Sequence, residues 1–262
     1  MVVRKQAGVL GVLLLLVLSG LQGLGAVGSG GTVDLEVGVF VFEQGESVAV
    51  EVRRDGDCTC LCDPITVGGL SVLDGAGVKV FSLPCDPPAS IDSWIGRWSL
   101  IDDEGKEIPA GIYRLAVTTS AGEFRAVVEV VLPGEKAPAG HGLARASACG
   151  LSLSVYRVLD EARAGTKVVL DVREGLLIAL RGNPTTGYEW EIEDEPGAVL
   201  ERIEGASYLP DPALAGLVGS GGTFYFRYRA TTVGEGTLLF AYRRPWVAGP
   251  PDRTVSFSVV VR

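Results

Sequence analysis

The chain has 262 residues, enough for one large domain or two of ordinary size, and carries 32 acidic against 23 basic residues, a net charge of -9. Such an acidic surface repels phosphate backbones, so nucleic acid is excluded as a partner class. There is one histidine, His141, so nucleophilic catalysis lacks its usual base and no enzyme is expected.

Residues 1–28 read as a secretory signal peptide. Arg4 and Lys5 precede the apolar run Val9 to Leu18, and small residues follow at Gly23, Gly25, Ala26 and Gly28. The alternative is an uncleaved anchor, since no charge falls between Gln6 and Val33. Cleavage would place the protein outside the cytoplasm, secreted or periplasmic, with no membrane attachment afterwards. Without Arg4 and Lys5 the basic residues fall from 23 to 21 against 32 acidic, a net charge of about -11.

From about Val33 to Leu132 short β-branched segments alternate with turns. Val48–Val52, Val78–Phe81, Tyr113–Thr118 and Phe124–Val131 are expected strands. Asp55-Gly56, Asp74-Gly75, Glu104-Gly105 and Ala121-Gly122 are turn signals between them. This spacing predicts an antiparallel sandwich over 33–132. The stretch Trp98 to Thr118, with Pro109-Ala110-Gly111-Ile112-Tyr113, resembles a hairpin of bacterial Ig-like modules, which informs the fold and not the function.

The five cysteines, Cys58, Cys60, Cys62, Cys85 and Cys149, all precede Leu151. Export permits disulfides, and five thiols allow at most two bridges with one left over, in connectivities that spacing does not resolve. The Cys58-x-Cys60-x-Cys62 spacing is too short for the usual zinc knuckle, so neither a metal nor a cofactor is expected.

Residues 133–150 lose periodicity and read as an inter-domain linker containing His141. From Leu151 the strand pattern resumes. Lys167–Val172, Leu176–Arg181, Tyr188–Ile192, Val199–Ile203, Thr223–Arg229, Thr237–Tyr242 and Thr254–Val261 are the expected strands, an Ig-like count for a second module over 151–262. The fold class is therefore all-β: two Ig-like antiparallel β-sandwich domains in tandem after a signal peptide. With no cysteine after Cys149, the second module is expected to fold independently.

Three loops of this module share one end in an Ig-like Greek key. The first is Asn183-Pro184-Thr185-Thr186-Gly187-Tyr188. Pro184 fixes φ and keeps Asn183 extended, Gly187 permits positive φ, and the stiff threonines between them make a preorganised wedge. The second, Gly219-Ser220-Gly221-Gly222, allows close backbone approach; no lysine or helix start follows that would make it a phosphate cradle. The third, Arg244-Pro245-Trp246, offers the residue types most enriched at interface hot spots. Alone, each loop also reads as an ordinary turn, and Trp246 as a core residue; together they favour Trp246 as an exposed anchor.

In this order and spacing the three segments resemble the chagasin family of cysteine-protease inhibitors, over roughly one Ig-sized module. The resemblance implies a reversible inhibitor of papain-like cysteine proteases, monomeric, acting by obstruction. Asn183, Pro184, Thr185, Thr186, Gly187 and Tyr188 would form the wedge against the catalytic cysteine. Gly219, Gly221 and Gly222 would grip one side, and Arg244, Pro245 and Trp246 the other. The alternative is a non-inhibitory cell-surface or adhesion module, since Ig-like sandwiches host many functions.

Overall fold

The period of two in the sequence becomes the two faces of a sheet. Val48, Val50 and Val52 point into one core while Ala49 and Glu51, between them, point to the opposite face. The computed structural model describes residues 33–54, 66–90, 93–135, 145–148, 151–211 and 221–262. The expected leader, Cys58, Cys60, Cys62, Cys149, His141, Gly219 and Ser220 lie outside them.

The first half contributes β1 (Val33–Glu43), β2 (Val48–Arg54), β3 (Thr66–Leu73), β4 (Lys79–Ser90), β5 (Ser93–Trp98), β6 (Gly111–Thr119) and β7 (Gly122–Val131). The rest contributes β8 (Arg145–Ala148), β9 (Leu151–Asp160), β10 (Lys167–Leu170), β11 (Gly175–Gly182), β12 (Glu189–Asp194) and β13 (Leu200–Arg202). They are followed by β14 (Ser207–Pro210), β15 (Gly222–Ala230), β16 (Gly234–Arg243) and β17 (Arg253–Val261). Both halves are Ig-like β-sandwiches. Most pairings are antiparallel, and β1–β7, β9–β11 and β10–β17 are parallel.

Of the expected turns, Asp55-Gly56 lies outside the described residues, and the two at Asp74-Gly75 and Glu104-Gly105 show their physical causes. The Asp74 carboxylate accepts from the backbone N–H groups of Ala76 and Val78, and Asp102 does the same for Glu104 and Lys106. Tyr113 is buried and its hydroxyl donates to the Pro109 carbonyl at 2.7 Å. This is the tyrosine corner of Ig-like sandwiches, and it accounts for the Pro109 to Tyr113 motif.

Two front sheets share one back sheet. The five-stranded front sheet runs β1-β7-β6-β3-β4 and the four-stranded one β10-β17-β16-β12. Behind both lies an eight-stranded sheet, β13-β15-β11-β9-β2-β5, with β14 on β15 and β8 on β9. The join is β9. Along one side it pairs with β2 from Leu151 to Arg157; along the other it pairs first with β8 and then with β11.

Accordingly β9 belongs to both cores. Leu151, Leu153 and Val155 pack in the first, with Phe42, Trp98 and Phe124, whereas Leu159 packs in the second, with Phe226, Phe240 and Phe257. Each buried aromatic or aliphatic side chain contributes about 1.5–3 kcal/mol relative to exposure. The segment expected as a linker thus includes a paired strand, β8. Independent folding of 151–262 is not what the structure shows, because its first strand lies inside the first sandwich. Sequence patterning missed this because Leu151–Val155 alternates apolar and serine residues like an ordinary half-exposed strand, whereas both of its faces are buried.

On the opposite face of the shared sheet Ala49, Tyr156, Val158, Leu177, Ala179 and Tyr225 form a third apolar cluster. Across it the Arg227 guanidinium of β15 donates to the Glu51 carboxylate of β2 through Nε and Nη2 at 2.7–3.1 Å. These residues are 3% and 0% exposed, which makes this a desolvated pair rather than a surface bridge. Ser93 and Tyr156 hydroxyls also donate to Glu51, and burial beside that carboxylate pushes the Tyr156 phenol up to about 12. In a flat sheet β2 and β15, separated by β9 and β11, would stand about 14 Å apart. Their direct bonding, and that of Arg53 to Glu204 at 2.5 Å, requires the sheet to curl toward this face.

Removing one partner of a buried ion pair leaves the other uncompensated. Arg227→Met is expected to lower stability by about 3–5 kcal/mol, and Glu51→Leu in the same chain to restore most of it. Denaturant unfolding of the single and double variants measures this. A fragment of residues 151–262 exposes Leu153, Tyr156 and Leu177 and deprives Arg227 of its carboxylate. We expect it to self-associate at micromolar concentration on size exclusion; a monomeric fragment as stable as the same region in the whole protein would refute the shared-core account.

Candidate functional site

The wedge segment begins where β11 ends. Asn183 is extended (φ -141, ψ 94), Pro184–Thr186 form one turn of 3-10 helix, and Gly187 closes it at φ +80. Much of the turn's polar capacity is used internally. Asn183 Oδ1 accepts from the Thr185 N–H at 3.1 Å and the Thr185 hydroxyl at 2.7 Å. The Thr186 hydroxyl donates to the Asn183 carbonyl at 2.6 Å, and the Gly187 N–H to the Pro184 carbonyl at 2.9 Å. Proline, a left-handed glycine and two hydroxyl locks restrict the loop before any partner arrives. Thr185 and Thr186 are exposed at its tip.

The Arg244–Trp246 loop, which follows β16, packs directly on this turn. The Arg244 Nε donates to the Thr186 carbonyl at 3.2 Å, and its guanidinium lies 4.7 Å from the Tyr188 ring centroid. Trp246 covers Gly187 so closely that a Cβ there would sit 2.6 Å from the indole. Glycine is therefore required at 187 twice, for its φ and for the indole above it. Trp246 is nonetheless 70% exposed, which settles its position at the surface and not in the core.

Of the glycine-rich segment, Gly221 and Gly222 are described. Gly222 opens β15 opposite Gly182 and Pro210, buried beneath the Tyr208 ring, where a Cβ would meet the Leu209 carbonyl at 2.3 Å. Its lack of a side chain serves strand packing. Gly221 is half-buried, and its carbonyl accepts from the Asp211 N–H at 3.1 Å, closing the base of the loop. The Asp211 carboxylate in turn accepts two bonds of 2.6 Å from Arg181, the residue two before the wedge. That bidentate pairing holds the Asp211 carboxyl below the usual carboxylate range. The ends of all three segments thus meet at one end of the second sandwich.

Sequence reasoning missed the residues that join them. Arg181 and Asp211 carried no motif, and neither did Tyr242 and Arg253, which lie under the wedge. Only the strand register, which puts Trp190 opposite Tyr242, makes their proximity visible. The arrangement offers a rigid protruding turn flanked by an exposed indole. Among the described residues it pairs no nucleophile with a base.

Residues 169–261 match the profile of the chagasin family peptidase inhibitors, I42. Amoebiasin-1 of Entamoeba histolytica is 35% identical over 104 residues, which are 40% of this chain and 98% of that protein. Chagasin of Trypanosoma cruzi is 30% identical over 108 residues, 40% of this chain and 94% of that protein. Among solved structures, the cysteine protease inhibitor EhICP2 of Entamoeba histolytica is 30% identical with a TM-score of 0.36, covering 40% of this chain and 94% of its own. These relatives are matched almost end to end by less than half of this chain, and the family is one of inhibitors and not of enzymes. Through its second sandwich, the chain belongs to the chagasin family of peptidase inhibitors.

Proposed function

We propose that the protein is a reversible, non-covalent inhibitor of papain-like cysteine proteases, acting outside the cytoplasm as a monomer. The wedge Asn183–Gly187 occupies the active-site cleft, Arg244–Trp246 grips one flank and the glycine-rich segment the other. The observation that carries this reading is the self-locked turn beside an indole that is 70% exposed. A large aromatic held at the surface by its neighbours loses little conformational freedom on binding, and a preorganised loop adds little further ordering cost. Obstruction is sufficient, because the turn need not present an aligned scissile bond.

The direct experiment is titration of papain with the purified protein. Stoichiometric loss of activity, with intact inhibitor recovered afterwards, is the expected result. Full papain activity at micromolar inhibitor, or cleavage of the wedge at substrate-like rates, would refute the proposal.

Two substitutions test the assignment of the loops. Trp246→Ala is expected to weaken binding by about 2–4 kcal/mol, thirty-fold or more, with an unchanged melting temperature, because the exposed indole contributes little to the core. Gly187→Ala forces an L side chain into positive φ at a cost of about 1–2 kcal/mol and pushes Trp246 aside. It should weaken inhibition by at least as much as Trp246→Ala, since it disturbs two loops at once. Inhibition constants and thermal melts measured on the same preparations decide both.

A further inference from the structure

We infer that Tyr242 and Arg253 are positioning residues: they fix where the wedge stands. The consequence for inhibition rests on the reading above; the positional claim does not. The argument begins with how the wedge is attached to its sandwich. Its internal bonds make it stiff, but stiffness does not orient it. Orientation depends on the two residues through which β11 passes into the turn, Arg181 and Gly182, and on the first amide of the turn itself.

All of these are held from β12, β16 and β17. The Asn183 N–H donates to the Tyr242 hydroxyl at 2.8 Å. The Arg181 carbonyl accepts from Arg253 Nη2 at 3.1 Å and from the Trp190 indole N–H at 3.0 Å. Gly182 permits the approach, since a Cβ there would come within 3.0 Å of the Tyr242 ring and 2.7 Å of Phe224. Tyr242 is itself immobilised on several sides. Its ring stacks on Tyr188 at 5.1 Å and 23°, tilts against Trp190 at 5.0 Å, and carries the Arg253 guanidinium 4.3 Å from its centroid. Arg253 is fixed in its turn by Glu161, which it meets through Nη1 at 2.9 Å and which also accepts from the Arg181 N–H at 3.3 Å.

The result is a stack of two rings capped by a cation at each end, Arg244–Tyr188–Tyr242–Arg253, with its upper end bonded to Thr186 and its lower end to Arg181. Both ends of the wedge are thereby referred to one rigid column. Tyr242 is only 7% exposed, so it acts through Asn183 and not by touching a protease. A hydroxyl removed from this column leaves the rings stacked and the sandwich intact while freeing the bond by which the column holds the first amide of the turn. Charge-assisted bonds are the strong members of such a set, and Arg253 donates one to Glu161 and one to the Arg181 carbonyl, which makes it the second control point.

Tyr242→Phe, in the whole protein, is the test. Amide hydrogen exchange at 183–188 should accelerate tenfold or more, while exchange in the cores of β11 and β16 and the melting temperature stay as in the parent. Papain inhibition should weaken at least tenfold, mainly through faster dissociation. The variant, unlike the parent, should be cut slowly between Thr185 and Gly187 during prolonged incubation. Unchanged exchange at 183–188 overturns the inference, as does a loss of protection spread through both sheets, which would mark Tyr242 as merely structural. Should the parent not inhibit papain, the proposed function falls while the exchange measurement still decides the positional claim. Arg253→Gln, at a more exposed site, provides the same exchange readout if Tyr242→Phe does not fold, and Arg253→Lys should recover part of the protection that Gln loses.

Discussion

Two buried arginines on opposite faces of one strand-sharing sheet hold this molecule in its shape. Arg227 meets Glu51 on the curled face. Arg157, which projects from β9 to the other face, bonds to Glu46, Glu174 and the Val41 carbonyl and lies 4.8 Å from the Phe42 ring centroid. Each guanidinium connects a carboxylate of the first sandwich to the second. Buried pairs of this kind add less to net stability than their Coulomb energy implies, because desolvation opposes it. What they supply is registration. A guanidinium at the seam has few alternative partners, so the two sandwiches have one way to meet. A purely apolar seam of Ala49, Leu177 and Ala179 would tolerate sliding.

Registration also explains why the halves read so differently in the sequence. In β6, β7, β16 and β17 one face meets a core and the other is more open, so apolar and polar residues alternate and the strands are legible. β9 is covered on both faces, yet its serines alternate with apolar residues from Leu151 to Val155 as they would in a half-exposed strand, so its second burial is not legible. β3 and β5 contain glycines that mask their alternation; a Cβ at Gly69 would meet the Leu83 carbonyl of the adjacent strand at 2.5 Å, and one at Gly96 the ring of Trp94, on the same strand, at 2.4 Å. The connection between halves was illegible for a further reason. Pro133, Gly134 and the alanines that follow are loop-like locally, and the pairing of β8 with β9 depends on a partner, not on propensity.

The loops were the most readable part of the site and their supports the least. Pro184, Gly187 and the threonines announce a turn because each acts on its own backbone, within a few residues. Arg244 and Trp246 stand out as residue types. Tyr242, Arg253, Arg181 and Asp211 act across strands, at sequence separations of 30 to 72 residues, and nothing in their immediate neighbours distinguishes them from ordinary strand residues. The glycines divide in the same way. Gly187 was legible as a conformational requirement, whereas Gly182 and Gly222 are glycines because rings from other strands lie over them.

Sharing β9 between the cores also fixes how the molecule rotates. Two sandwiches on a slack tether would each diffuse rotationally by themselves, and a wedge captured by one partner would leave the other sandwich free to sample most orientations. Here Ala148 ends one strand and Leu151 begins the next, already paired to β2. The direction in which the first sandwich points is therefore set by the direction of the wedge. Whatever the second sandwich grips meets the first at one constant angle, as a neighbouring wall and not as a swinging attachment.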